Sequence, residues 1–162
     1  MWNLLILIRL ILKSKIQLKR LKKTDLIIFD EQSVFDLRNI IPNFNYFVLQ
    51  TRSTNINKIY FNLEIFFKLI KNYNGNIFTA YLTSIIQVVN PKIVITTIDN
   101  SIKFFEISKI FEKKIKFIAI QNAARYEIEM HKYLFHKKIV NYDLTKKFYI
   151  TNFYCFGDHE IY

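Results

Sequence analysis

Pro91-Lys92-Ile93-Val94-Ile95-Thr96-Thr97-Ile98-Asp99-Asn100-Ser101 decides the fold, together with its echo Lys116-Phe117-Ile118-Ala119-Ile120-Gln121-Asn122-Ala123-Ala124-Arg125. In each, a short run of β-branched and apolar residues ends abruptly in polar side chains. Such a run reads as a strand covered on both faces. Between the two, Ile102, Phe105, Ile107, Ile110 and Phe111 recur at a mostly helical period, and Ser101 stands where it caps the first turn. Strand, helix and strand in that order make a β-α-β crossover. Parallel strands joined this way end on the same edge of a sheet, and ligands of open α/β sheets bind just outside that edge. The two polar clusters are therefore expected to face one crevice.

Working outward, Asp25-Leu26-Ile27-Ile28-Phe29-Asp30 is an apolar run bounded by acids and reads as the first buried strand. Glu31 to Ile41 follows as a short helix, with Ser33 and Asp36 as its entry signal and Pro42 as its stop. Tyr46 to Leu49 is a second strand and Ile59 to Phe61 a short third. Leu63 to Lys71 has helical spacing, closed by the turn Tyr73-Asn74-Gly75-Asn76, and a further helix runs from about Phe78 to Asn90-Pro91. Past Arg125 the pattern degrades: Tyr126 to Lys138 reads as a helix or an ordered loop. Phe148 to Ile150 and Phe153 to Phe156 supply late strand material before the turn Gly157-Asp158. The alternation predicts an α/β, Rossmann-like domain over residues 24–162, with a largely parallel sheet and flanking helices.

The chain has 162 residues, 51% of them hydrophobic, enough for one ordinary domain with a proper core. Its net charge of +11 is unevenly spread. Arg9, Lys13, Lys15, Lys19, Arg20, Lys22 and Lys23 all precede Asp25, the first acid, so the body is only mildly basic. Lys, Ile, Asn, Phe and Tyr abound while Gly and Pro occur twice each, a skew that AT-rich codons produce without selection on the protein. The single Cys155 argues against a disulfide framework and fits a reducing, cytoplasmic setting.

Residues 1–23 form a separate basic segment. The apolar run Trp2 to Leu12 is interrupted by Arg9 and is shorter than the roughly 20 residues of a spanning helix. Its charges follow the apolar stretch, unlike those of a secretory signal. As a helix it places Arg9, Lys13, Gln17 and Arg20 along one side, a shape suited to lying in the inner-leaflet interface. The other reading of residues 2–23 is a helix that packs on the sheet or on a neighbouring domain.

The two strand-plus-cluster segments, with Phe156-Gly157 and Glu160-Ile161-Tyr162, resemble the amino-terminal half of bacterial surface carbohydrate biosynthesis proteins of the GT-B glycosyltransferase type. The resemblance covers residues 24–162 in order and is carried by Asp99-Asn100 and by Gln121-Asn122 with Arg125. It implies two Rossmann-like domains around a cleft, with this chain supplying the acceptor-side half. On that reading the chain is an incomplete GT-B half, inactive alone, and a second domain holds the nucleotide-sugar donor. No cofactor is expected of this half. The family pattern has Gly where Ala123 stands, and the added Cβ opposes close backbone approach to a ligand there.

Asp99 is the candidate general base toward an acceptor hydroxyl, and Asn100 a ligand for sugar hydroxyls; the alternative is that the pair merely caps the following helix. Gln121 and Asn122 offer amide donors and acceptors, and Arg125 a bidentate grip on phosphate or carboxylate; the alternative is a locally bonded surface turn. His131 and His136 do not share a helix face, and no residue spacing completes a metal site.

The expected partner is a carbohydrate or lipid-linked acceptor, with a second-domain chain and the inner-membrane surface as further partners. A non-enzymatic membrane-surface or protein-interaction module is the alternative. Nucleic acid is not favoured, because stacking needs exposed aromatics on a basic face and these aromatics sit in apolar runs expected to be buried.

Overall fold

The computed structural model describes residues 14–41, 44–52, 56–99, 101–121 and 150–154. In chain order the elements are β1 (Lys15–Gln17), β2 (Leu26–Phe29), α1 (Gln32–Leu37), β3 (Tyr46–Leu49), β4 (Lys58–Tyr60), α2 (Leu63–Asn72), α3 (Ile77–Val89), β5 (Ile93–Thr96), α4 (Ile102–Ile110), β6 (Lys116–Ile120) and β7 (Asn152–Tyr154). Five strands form one sheet in the order β3-β2-β5-β6-β7, all neighbours parallel. Counted in chain order within this sheet, the strands lie 2-1-3-4-5, the arrangement of one class of doubly wound α/β sheets. The α/β fold with a mostly parallel sheet and flanking helices matches the sequence expectation.

Strand alternation distributes the core. Ile27 and Phe29 of β2, Leu49 of β3, Val94 of β5, and Phe117 and Ala119 of β6 join Ile65, Leu82, Ile85, Ile86, Val89, Phe104 and Ile107 from α2, α3 and α4. Leu26, Ile28 and Ile95 point the other way, toward Leu37 and Ile41, with Val34 and Ile118 packed against them. β2 is therefore buried along its whole length, as its unbroken apolar run requires. Phe104 centres the larger cluster, with ring centroids 5.2 Å from Phe29 and 5.3 Å from Phe117 in tilted, edge-on contacts.

The helix ends follow local chemistry. Asn62 accepts from the Ile65 N–H at 2.9 Å to start α2, and Asn76 accepts from the N–H groups of Phe78 and Thr79 to start α3. Gly75 turns the chain between them at φ +97, open to glycine and costly for other residues. α3 stops at Asn90 in the left-handed region, φ 52, and Pro91 follows.

One expectation is corrected outright. Residues 15–17, read as part of an amphipathic helix, form the strand β1 paired in parallel with β4 in a second, two-stranded sheet. Lys15 N–H donates to Asn57 O at 2.9 Å and Phe61 N–H to Gln17 O at 3.0 Å, while Leu21 enters the main core. Pairing β4 supplies backbone partners along this stretch, and a buried leucine anchors it, so residues 14–23 pack as part of the body. The remainder of the expected helix, residues 1–13, lies outside the described residues. So do Tyr126 to Lys138, Cys155 and Gly157-Asp158. Among the described residues, no helix is long and apolar enough to cross a membrane.

Candidate functional site

In a 2-1-3-4-5 sheet the order reverses between the first and third strands, here β2 and β5, and the crevice lies beyond their carboxyl ends. Asp30, immediately after β2, sits there. It is 4% exposed and adopts φ 91, a conformation that L-residues adopt only under strain. Its carboxylate explains why it stays. Oδ1 accepts from the Gln32 N–H at 3.0 Å, and Oδ2 accepts from Thr51 Oγ1 at 2.6 Å and Arg52 Nε at 3.1 Å. Its own N–H donates to Leu49 O at 2.9 Å and extends the β2–β3 ladder.

A hydroxyl cluster fills the gap toward β5. Thr96 Oγ1 donates to Phe29 O at 2.9 Å and accepts from the Ile98 N–H at 3.0 Å. Ser33 Oγ accepts from the Thr97 N–H at 2.9 Å, and Thr97 Oγ1 donates to Asp36 Oδ2 at 2.6 Å. Ser33, Thr96 and Thr97 are buried, and Asp36 is exposed. Each of these hydroxyls is committed to a protein partner, so the cluster clamps α1 and the ends of β2 and β5 into one rigid rim. Ser33 was expected to cap α1. Instead the N-cap is Glu31, without a side-chain cap bond, and Ser33 turns inward to β5.

On the rim above, Gln50 Nε2 donates to Glu31 Oε2 at 3.1 Å and to Asn57 Oδ1 at 3.0 Å, tying the end of β3 to α1 and to the approach to β4. Arg52 brings a cation to this edge, its side chain 44% exposed while paired with buried Asp30.

Of the sequence candidates, Asp99 and Gln121 follow β5 and β6, which pair in parallel with Thr96 opposite Ala119, so both lie beyond the same sheet edge. Their side chains are buried, at 5% and 3% exposure, and the Gln121 N–H donates to Tyr154 O at 2.8 Å. The helix that follows β5 is capped by Ser101, which accepts from the Phe104 N–H. Asn100, Asn122 and Arg125 lie outside the described residues. No group of three or more metal-ligating side chains occurs among the described residues.

The sequence reading looks to the ends of β5 and β6, and it does not single out Asp30, Ser33, Asp36, Thr51, Arg52, Thr96 and Thr97 as a group. A signal existed for the first of these: Phe29-Asp30 repeats the strand-into-polar pattern of the two quoted segments. Nothing local distinguishes Thr51 or Arg52, whose role depends on β3 lying beside β2. No protein-family model matches the chain, and no curated protein and no solved structure matches it.

Proposed function

We propose that this chain is a carbohydrate-handling, glycosyltransferase-like domain of surface polysaccharide biosynthesis, serving the acceptor side and depending on a second domain for the nucleotide-sugar donor. The observation that carries the reading is that Asp99 and Gln121 end neighbouring parallel strands on one sheet edge, beside the polar rim at the switch point. Asp99 would hold or deprotonate an acceptor hydroxyl, Gln121 would bond ring hydroxyls, and Asn100, Asn122 and Arg125 complete the set from the sequence. Fixed amides and carboxylates on rigid strand ends suit sugars, whose recognition rests on many directional hydrogen bonds.

The test is ligand-observed NMR of the full chain against a panel of mono- and oligosaccharides. Saturable binding that weakens in both Asp99→Asn and Gln121→Ala, each with an unchanged circular dichroism spectrum, supports the reading. Absence of saturable binding, or binding indifferent to both substitutions, overturns it. A second reading, a non-enzymatic surface module, is favoured by the exposed apolar face of α2.

A further inference from the structure

We infer that α2 and the β1–β4 pair form a docking face for an anionic lipid bilayer, a surface separate from the sheet edge and independent of the carbohydrate reading. Leu63, Phe66, Phe67 and Ile70 recur at the spacing that makes one stripe along a helix, and they are 75%, 39%, 66% and 59% exposed. The opposite side of α2 is fixed. Ile65 is fully buried, and Asn72 exchanges amide hydrogen bonds with Gln87 of α3 at 3.0 and 3.3 Å while donating to Ser84 at 3.1 Å. With that side anchored, the stripe cannot turn inward.

Exposed Phe61, Leu18 and Tyr73 adjoin it, and Leu18, Arg20, Phe61, Asn62, Leu63 and Glu64 line an open hollow where the stripe begins. A contiguous exposed apolar surface of this kind marks an interaction site.

Charge selects the occupant. Residues 14–23 and 56–73 contain Lys15, Lys19, Arg20, Lys22, Lys23, Lys58, Lys68 and Lys71 against Glu64 alone, a net +7 of the chain's +11. Two further charges come from Arg9 and Lys13, so the rest of the protein is close to neutral. Lys71 borders the stripe on α2 itself, and Arg20 lines the hollow beside Leu63. Apolar side chains bordered by lysines are the composition of surfaces that enter the acyl boundary while their cations meet anionic headgroups.

Nucleic acid would answer the same charge, and the expectation that the aromatics are buried does not hold for Phe61, Phe66, Phe67 and Tyr73. Yet Leu18, Leu63 and Ile70 offer no ring for base stacking and gain only from an apolar medium. The bilayer uses the whole face and a single strand would use part of it.

The experiment is flotation of the full chain with vesicles of phosphatidylcholine containing phosphatidylglycerol, and with vesicles of phosphatidylcholine alone. The protein is expected to float with the first and not the second, less so as salt rises. Leu63→Glu with Phe67→Glu should lower partitioning at least about tenfold, and Lys71→Glu by about fivefold. The urea midpoint should be unchanged, since these side chains are largely solvated.

Four outcomes overturn the inference. One is undiminished flotation of the double variant, which assigns binding to residues 2–12. Another is a lipid-free dimer that the double variant abolishes, and a third is a fall in the urea midpoint of that variant, which shows a stripe covered within the chain. The fourth is a variant that loses oligonucleotide binding while keeping its vesicle binding. Sugar binding, read on the same proteins, is unaffected by these substitutions, so failure of either idea leaves the other standing.

Discussion

Ser33 Oγ receives the Thr97 N–H at 2.9 Å, joining two residues 64 positions apart where α1 begins and β5 ends. The bond crosses from the first strand's helix to the third strand of the sheet, so it closes the switch point that the strand order creates. Ser33→Ala removes that acceptor and leaves a buried N–H without one. A loss of about 1–3 kcal/mol in unfolding free energy is expected by urea denaturation. A loss below about 0.5 kcal/mol would show that the rim does not depend on this clamp.

Asp30 and Arg52 pair at 3.1 Å, but their environments differ, with side-chain exposures of 6% and 44%. Replacing the buried partner strands three donors, whereas replacing the solvated one removes a single screened contact. Asp30→Ala should cost about 2–4 kcal/mol and Arg52→Ala less than about 1 kcal/mol. Equal losses in chemical denaturation would contradict this asymmetry.

Thr83 in α3 is buried at 1% exposure, and its Oγ1 has no hydrogen-bond partner. Valine has the same shape without the hydroxyl. Thr83→Val should leave stability unchanged or raise it by about 1 kcal/mol, against the usual direction of core substitutions. A clear loss of thermal midpoint would mean the hydroxyl is satisfied in solution.

Tyr81 Oη accepts the Tyr60 N–H at 2.9 Å, and burial pushes its phenol up to about 12, with the Tyr60 charge adding to the rise and the backbone bond opposing it. The folded state therefore holds this proton more tightly than the unfolded chain, whose phenol titrates near 10.0. Its contribution is complete below that value and is lost as pH climbs from 10.0 toward about 12. Tyr81→Phe should flatten the decline of stability across this window, measured by urea midpoints at successive pH values. An unchanged slope would place the alkaline sensitivity elsewhere.

Asn76 accepts two N–H groups at the start of α3, the helix that contributes most to the larger core. Asn76→Ala should cost about 1 kcal/mol, seen as a lower thermal midpoint. Asn76→Asp, which keeps the acceptor and adds favourable charge at the helix start, should restore it.

The sequence was enough to read β2, β3, β5 and β6 near their observed limits, because buried parallel strands must be short and apolar and the intervening helices carry their own period, whereas exposed β7 was met only in part, at Phe153 and Tyr154. Asn90-Pro91 and Ser101 marked helix ends that the structure keeps, since caps are chemistry within one turn. β1 was misread because Ile16 also fits one helical side and Leu18 and Leu21 another, and only β4, more than 40 residues away, makes the strand worthwhile.

What the chain decided by itself is the parallel α/β layering and the shared edge of Asp99 and Gln121. Tertiary structure alone decided that β2 lies between β3 and β5, that Asp30, Ser33, Thr96 and Thr97 therefore meet, and that the apolar stripe of α2 faces outward. Local patterning dictates which face of an element is apolar, but not its neighbours. Strand order and helix seating follow from which buried surfaces fit one another across long stretches of chain.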